Sequence, residues 1–188
     1  MMVRKFLAHG TQIASVAPSS RSLVRVMLKG IDFARTRTLV ELGAGTGPIT
    51  AELVRRAQGT PCKLLIIERD RDFCQRLRER FDGRAEIIQA DAGDLDRILA
   101  ERGVDQVEQI VSGLPTPSLP PDVYRRIFTA VGRRLSPEGE FRQLTVIPWV
   151  YKRFYKKHFN DVRFHLVPIN VPPGGVYVCK RLRERTRP

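Results

Sequence analysis

Short apolar runs alternating with amphipathic stretches constrain this chain more than anything else in it. Strand candidates fall at 38–42 (TLVEL), 63–68 (KLLIIE), 85–90 (AEIIQA) and 106–111 (QVEQIV), with further ones at 140–147, 162–167 and 175–180. Between the first of these, Ile49, Leu53 and Ala57 recur every four residues, and Phe73, Leu77 and Phe81 do the same. Asp122 is placed to cap another helix, with Val123, Ile127, Val131 and Leu135 on its buried side. Such alternation predicts an α/β fold, a parallel sheet with helices on both faces. Only the NVPPGG segment, Asn170 to Gly175, separates the last two strands. It is too short for a helical crossover, so these two should pair antiparallel at one edge.

The first 37 residues stand outside the alternation. SSRSLVRVMLKGI reads as a helix with Ser20 as N-cap and apolar residues at Leu23, Val24, Met27, Leu28 and Ile31. Ahead of it, Val3, Phe6, Leu7, Ile13 and Ala14 form a weaker stripe beside Arg4 and Lys5. We divide the chain into an amphipathic helical extension (1–37), one domain (38–181) and a basic tail (182–188). At 188 residues the chain is large enough to bury its own core.

Charge is unevenly spread. Residues 1–37 hold seven Lys and Arg against one acid, and residues 150–188 hold ten against two. The stretch between is nearly neutral, so the net charge of +13 resides in the two ends. Such ends suit a polyanion, either nucleic acid or an anionic membrane surface. No apolar run is long enough to span a bilayer or serve as a secretory signal. Cys62, Cys74 and Cys179 are scattered, which suggests reduced, buried thiols in a cytoplasmic protein. His9, His158 and His165 lack metal-ligand spacing, and no metal is implied.

The first strand runs into ELGAGTG, Glu41 to Gly47. A glycine turn between strand and helix turns backbone N–H groups and a helix N-terminus toward an anionic group. The dinucleotide fingerprint would need glycine at 48, where Pro48 stands, and the Lys-Ser/Thr ending of a P-loop is absent. Glu41 would repel phosphate yet pair with an ammonium, so the ligand should carry both a cation and an anion. The amino-acid end of S-adenosylmethionine does. Glu68, ending the second strand, can accept from ribose hydroxyls; Asp91, after the third, can accept from the adenine amine, with Ala92 giving backbone contact. Taken singly, Glu68 and Asp91 could be helix caps and the glycines only a tight turn.

With these residues the chain resembles the class I S-adenosylmethionine-dependent methyltransferases over roughly residues 38–180. The resemblance implies a Rossmann-like, seven-stranded sheet in the order 3-2-1-4-5-7-6, strand 7 antiparallel. It implies a cofactor site of Glu41, Gly43, Ala44, Gly45, Gly47, Glu68, Arg69, Asp91, Ala92 and Ser112, with S-adenosylhomocysteine as product. The methyl acceptor would face SGLPTPSLP, Ser112 to Pro120. Ribosomal RNA adenine dimethylases carry an Asn-Leu-Pro-Tyr-like motif there, whose aromatic stacks the base; this chain has Thr116 at that place. It looks closer to the soluble, membrane-associated bacterial phospholipid N-methyltransferases, through VAPSSRSLVRVM (Val16–Met27), SGLP (Ser112–Pro115) and NVPPGGVYV (Asn170–Val178).

That resemblance implies methylation of phosphatidylethanolamine or its methylated derivatives, toward phosphatidylcholine, by a protein held peripherally on the cytoplasmic face of the membrane. RNA adenine methylation is the alternative, disfavoured by Thr116; a methyltransferase fold without catalysis is a third. The extension 1–37 would cap the substrate at the lipid surface. Ser112, with the carbonyls of its turn, is the acceptor-side candidate, and Tyr151 or Tyr155 would close over the head group. Arg21, Lys152 and Arg153 are candidate cations for a lipid phosphate. Trp149, Phe154 and Phe159 either meet lipid or pack in the core. The sequence leaves the oligomeric state open.

Overall fold

The structure, a computed structural model, describes residues 21–145, 151–168 and 173–183. Ser20, the weaker apolar stripe ahead of it, Trp149, Asn170 and the final basic tail beyond Arg183 lie outside the described residues.

Seven strands form one sheet: β1 Thr38–Leu42, β2 Lys63–Glu68, β3 Glu86–Gln89, β4 Val107–Ser112, β5 Leu135–Thr145, β6 Phe159–Val167 and β7 Gly174–Leu182. Their spatial order is β3-β2-β1-β4-β5-β7-β6, as expected. The first five run parallel, and β7 lies antiparallel between β5 and β6.

The two-residue period of the strands sorts the core into two layers. Val40, Leu42, Leu65, Ile67, Ile110 and Phe141 face one side, under α4 (Leu95–Ala100), α5 (Pro121–Arg134) and α6 (Lys152–Tyr155). Leu39, Leu64, Ile66, Val111, Val176 and Val178 face the other, under α1 (Arg21–Met27), α2 (Pro48–Ala57) and α3 (Arg71–Phe81). Glu41, between Val40 and Leu42, therefore belongs to the α2 side, while Gln143, in step with Phe141, belongs to the α5–α6 side.

Leu23, Val24, Met27 and Leu28 are buried in the second layer, so the helix read at 20–31 is part of the main core rather than an appendage. Its C-terminal end is pinned from the sheet. Arg142 of β5 donates to the Met27 and Lys29 carbonyls at 2.9 and 2.8 Å, and Arg56 donates to the Leu28 carbonyl at 2.9 Å. Burial drives the Arg142 pKa down against the opposing pull of Glu140, which also pairs with Lys180.

Three expectations are corrected. The helix at 121 is capped by Pro120, with Pro121 at its first position; Asp122 sits inside the first turn. A proline there loses nothing, because that N–H has no helical partner anyway. Val123 is half-buried, whereas Ile127 and Val131 are buried, and Leu135 opens β5 instead of closing the helix. The strand expected at 140 begins at Leu135: the SPEG segment forms an irregularity in which β4 advances from Val107 to Gln109 while β5 advances from Leu135 to Glu140.

Candidate active site

The carboxyl ends of β1, β2, β3 and β4 meet around the glycine loop. Gly43, Gly45 and Gly47 all have positive φ (+74°, +54° and +83°), a backbone region that costs other residues about 1–2 kcal/mol. Two of them are closely packed. A Cβ on Gly43 would run into Leu114, and one on Gly47 would lie 2.7 Å from Leu77 Cδ2. Gly45 has open space at that position, which leaves one side of the loop accessible to a ligand. Ala44 is buried beneath it. Pro48 follows Gly47 as the first residue of α2, whose N-terminus faces the loop.

Glu41 is fully buried. Its Oε2 accepts from Thr50 Oγ1 of α2 at 2.8 Å, and its Oε1 has no partner. Burial raises its pKa to about 8, with a smaller upward contribution from Glu68 and a downward one from Thr50. A buried acceptor oxygen without a donor is costly unless something else supplies the proton. It fits the ammonium of an amino-acid ligand, the chemistry S-adenosylmethionine presents.

Glu68 does not cap the next helix. Asp70 does, accepting from Asp72 and Phe73 N–H at 2.9 and 3.0 Å. Glu68 instead ties the loops together: Oε2 accepts from Gly45 N–H at 2.8 Å, and Oε1 from the N–H groups of Arg69 and Asp70 at 2.8 and 2.9 Å. Oε1 is filled by its two N–H donors, but Oε2 keeps a free lone-pair direction, to which a ribose hydroxyl can still donate. Arg69 is exposed beside it. Asp91 does act as a cap, its Oδ1 accepting from Gly93 N–H at 2.8 Å, and Ala92 begins the short 3-10 turn that follows. Arg126 of α5 leans over that turn, 2.7 Å from Asp94 Oδ1 and 3.5 Å from Asp91 Oδ1.

The SGLP turn leans directly on the glycine loop. Gly113 N–H donates to the Leu42 carbonyl at 2.9 Å, and a Cβ on Gly113 would lie 2.7 Å from the Gly43 carbonyl oxygen. Ser112 is fully buried, and its Oγ accepts from Leu114 N–H at 3.3 Å. The Leu114 carbonyl already takes Gln143 Nε2 at 2.6 Å and Thr116 N–H at 2.8 Å, which removes it from the acceptors expected for a substrate amine. Thr116 is buried, with its hydroxyl on Gln143 Oε1 at 2.9 Å.

The two tyrosines separate. Tyr151 is half-buried, its hydroxyl 3.2 Å from Ser118 Oγ of the Ser112–Pro120 segment. Tyr155 is wholly buried, its ring against Phe128, Phe141, Phe154 and Tyr177 and its hydroxyl without a partner. That packing makes it a core residue and corrects the expectation that it closes over a head group. Phe159 is likewise core, and Phe154 packs on the same cluster. His158 stacks on Phe128 at 4.1 Å, and burial lowers its pKa. His165 is exposed, and among the described residues no His, Cys, Asp or Glu cluster could hold a metal. The three cysteines are buried and free, and burial raises the Cys62 thiol to about 11, too high for a reactive thiolate. Arg21, Lys152 and Arg153 are exposed.

Thr50, Gln143 and Arg126 were not foreseen. Gln143 carries a sequence signal, an uncharged amide inside the otherwise strand-like run from Phe141 to Ile147. Thr50 shows none beyond its place in the first turn of α2.

The ribosomal RNA adenine dimethylase family model matches residues 19–166. The ornithine lipid N-methyltransferase of Singulisphaera acidiphila is 45% identical across 98% of this chain and 96% of its own length. The ribosomal RNA small subunit methyltransferase A of Mycoplasma mycoides subsp. mycoides is 30% identical, over 52% of this chain and 36% of its own. Among solved structures, the Burkholderia thailandensis 1,6-didemethyltoxoflavin-N1-methyltransferase with bound S-adenosylhomocysteine aligns at a TM-score of 0.69 and 14% identity. That alignment covers 97% of this chain and 88% of the other, and it speaks to fold alone. With the glycine loop and the orphaned Glu41 oxygen already in place, these matches settle the family: the chain belongs to the ribosomal RNA adenine dimethylase family of class I methyltransferases and is an S-adenosylmethionine-dependent N-methyltransferase.

Proposed function

We propose that this enzyme methylates the head-group amine of a membrane amino-lipid. Phosphatidylethanolamine and ornithine lipid are the two substrates to compare; repeated methylation of the first would yield phosphatidylcholine. The observation that carries the reading is the end-to-end likeness to a lipid N-methyltransferase, against a ribosomal RNA enzyme that matches half of this chain. The acceptor loop supports it. Thr116 is turned inward onto Gln143, so the loop offers no aromatic ring on which a base could stack.

S-adenosylmethionine, when bound, supplies a methyl group already activated on a sulfonium. Glu41 would receive its ammonium, Glu68 a ribose hydroxyl, and Asp91 with the Ala92 backbone its adenine. Gly43, Ala44, Gly45, Gly47 and Arg69 would complete that site. Ser112 and Tyr151 border the acceptor side, where the chain's task is to hold a neutral amine in line and keep water out. The exposed Arg21, Lys152 and Arg153 suit a lipid phosphate, at about 1 kcal/mol for each basic residue near an anionic surface. Docking is then peripheral, at the cytoplasmic face, and no helix among the described residues is long and apolar enough to cross a membrane.

The test offers labelled S-adenosylmethionine to purified protein with liposomes of phosphatidylethanolamine, ornithine lipid or phosphatidylcholine. Label in either primary-amine lipid, rising with anionic lipid content, is expected. Absence of label in both would defeat the proposal.

A further inference from the structure

Gln143 is a buried amide of the α5–α6 layer with four hydrogen-bond contacts. It sits on β5 in register with Ser112 of β4 on one side and Tyr177 of β7 on the other. It is almost completely buried. Its Nε2 reaches the carbonyls of Ser112 at 3.1 Å, Leu114 at 2.6 Å and Leu144 at 2.9 Å. Its Oε1 accepts from the Thr116 hydroxyl at 2.9 Å. One amide thereby spans the acceptor loop from its first residue to its fifth. Only an amide does this: it alone among side chains of that size offers two donors and an acceptor at one end. In a buried setting each contact counts, because a carbonyl that loses its donor there has no water to replace it.

The loop that Gln143 holds is the one that abuts the glycine loop, through Gly113 on Gly43 and Leu114 over Gly43. Gln143 itself makes none of the bonds of Glu41, Glu68 or Asp91. A sub-ångström shift of the loop would change the space above Gly43 and the placement of whatever approaches Ser112, while leaving the hydrogen bonds of Glu41, Glu68 and Asp91 intact.

We infer that Gln143, working through Thr116, is a positioning residue for the methyl acceptor: it sets where the 112–116 turn stands relative to the glycine loop, and so governs turnover of the acceptor and not cofactor binding. This rests on the reading of that turn as the acceptor loop.

The experiment compares Gln143→Met, Thr116→Val, Gln143→Glu and Leu114→Ala in the full chain. Cofactor affinity is measured by calorimetry without lipid, and kcat and KM with amino-lipid vesicles. Gln143→Met keeps the volume and removes every bond. It should lower kcat at least about 30-fold with cofactor Kd within about threefold, and Thr116→Val, losing the hydroxyl's contacts to Gln143 and the Leu114 carbonyl, should lower it about three- to tenfold. Gln143→Glu adds a pH signature. Facing carbonyl oxygens, its carboxyl can donate only when protonated, so its activity relative to the parent should rise as pH falls, whereas the ratio for Gln143→Met stays flat. Folded Gln143→Met with kcat within threefold of the parent overturns the inference, as does a loss of cofactor affinity that matches the loss of turnover. If Gln143→Met fails to fold, unchanged kcat in Thr116→Val overturns it. Leu114→Ala separates the two claims. Impaired turnover there with normal Gln143→Met defeats only the positioning role; normal turnover in both defeats the acceptor-loop reading as well.

Discussion

Replacing Glu41 with Gln should make the cofactor-free protein more stable and a poorer binder, and the stability gain should depend on pH. The buried carboxyl holds its proton up to about pH 8, while in an unfolded chain it would release it near 4.5. Between those values the folded state carries one proton more than the unfolded state. Stability therefore falls as pH rises, by up to about 1.4 kcal/mol per pH unit, and levels off above pH 8. The cost is about 3 kcal/mol at pH 7 and on the order of 4 at pH 8, against less than about 1 at pH 5. The glutamine is the same size and never ionises. Its oxygen can take the Thr50 hydroxyl, and its amide NH2 stands where a protonated Glu41 has its unpaired O–H, with one donor more. Urea unfolding of both proteins at pH 5, 6, 7 and 8 should show near-equal stability at pH 5 and a gap that widens to about 3–4 kcal/mol at pH 8. The same change should weaken S-adenosylhomocysteine binding by about 10- to 100-fold, the worth of a hydrogen bond to a charged group. A stability difference that stays constant from pH 5 to 8 would refute the reasoning, as would unchanged affinity.

Three further outcomes follow from the same geometry. Because Glu41 must ionise to meet an ammonium, cofactor binding below pH 8 should release a proton, and affinity should rise up to about tenfold per pH unit until it flattens near 8; calorimetry in buffers of differing ionisation enthalpy reads the proton directly. Gly45→Ala should fold with a loss of about 1–2 kcal/mol but bind cofactor poorly, since its Cβ points into the open side of the loop, whereas Gly47→Ala should lose more stability, having Leu77 in the way as well; urea unfolding and calorimetry on both variants check this. Tyr155→Phe removes a buried hydroxyl without a partner and should leave thermal stability equal or slightly higher and lipid turnover unchanged; a large loss of turnover would return that residue to the site.

Much of the fold was legible because its inner strands are short continuous apolar runs set between amphipathic stretches. TLVEL and KLLIIE are β1 and β2 to the residue, and the order of all seven strands matched the expectation drawn from the family resemblance. What stayed hidden was short or ambiguous locally. The helix Leu95–Ala100 has six residues, fewer than two turns, so the helical spacing of its buried Leu95, Ile98 and Leu99 occurs only once. The start of β5 contains Ser136, Pro137, Glu138 and Gly139, all poor strand formers, and tertiary pairing with β4 overrides them. Tyr155 stands among Lys152, Arg153, Lys156 and Lys157 and read as surface; a single helical turn lets those four face solvent while Tyr155 faces the core. In the site, Glu41 and Glu68 could be singled out because each is a carboxylate at the end of an apolar strand. Their actual partners, Thr50 and the Gly45 N–H, depend on how α2 and the glycine loop settle over the sheet, which spacing does not encode.

The measurement that bears most directly on the account is a single reaction containing labelled S-adenosylmethionine, amino-lipid vesicles and bulk ribosomal RNA in competition. Label recovered in the lipid phase, with the RNA unlabelled, is the predicted result. Label in the RNA with none in lipid would contradict the account and turn the basic surface and the inward Thr116 into features still in need of an explanation.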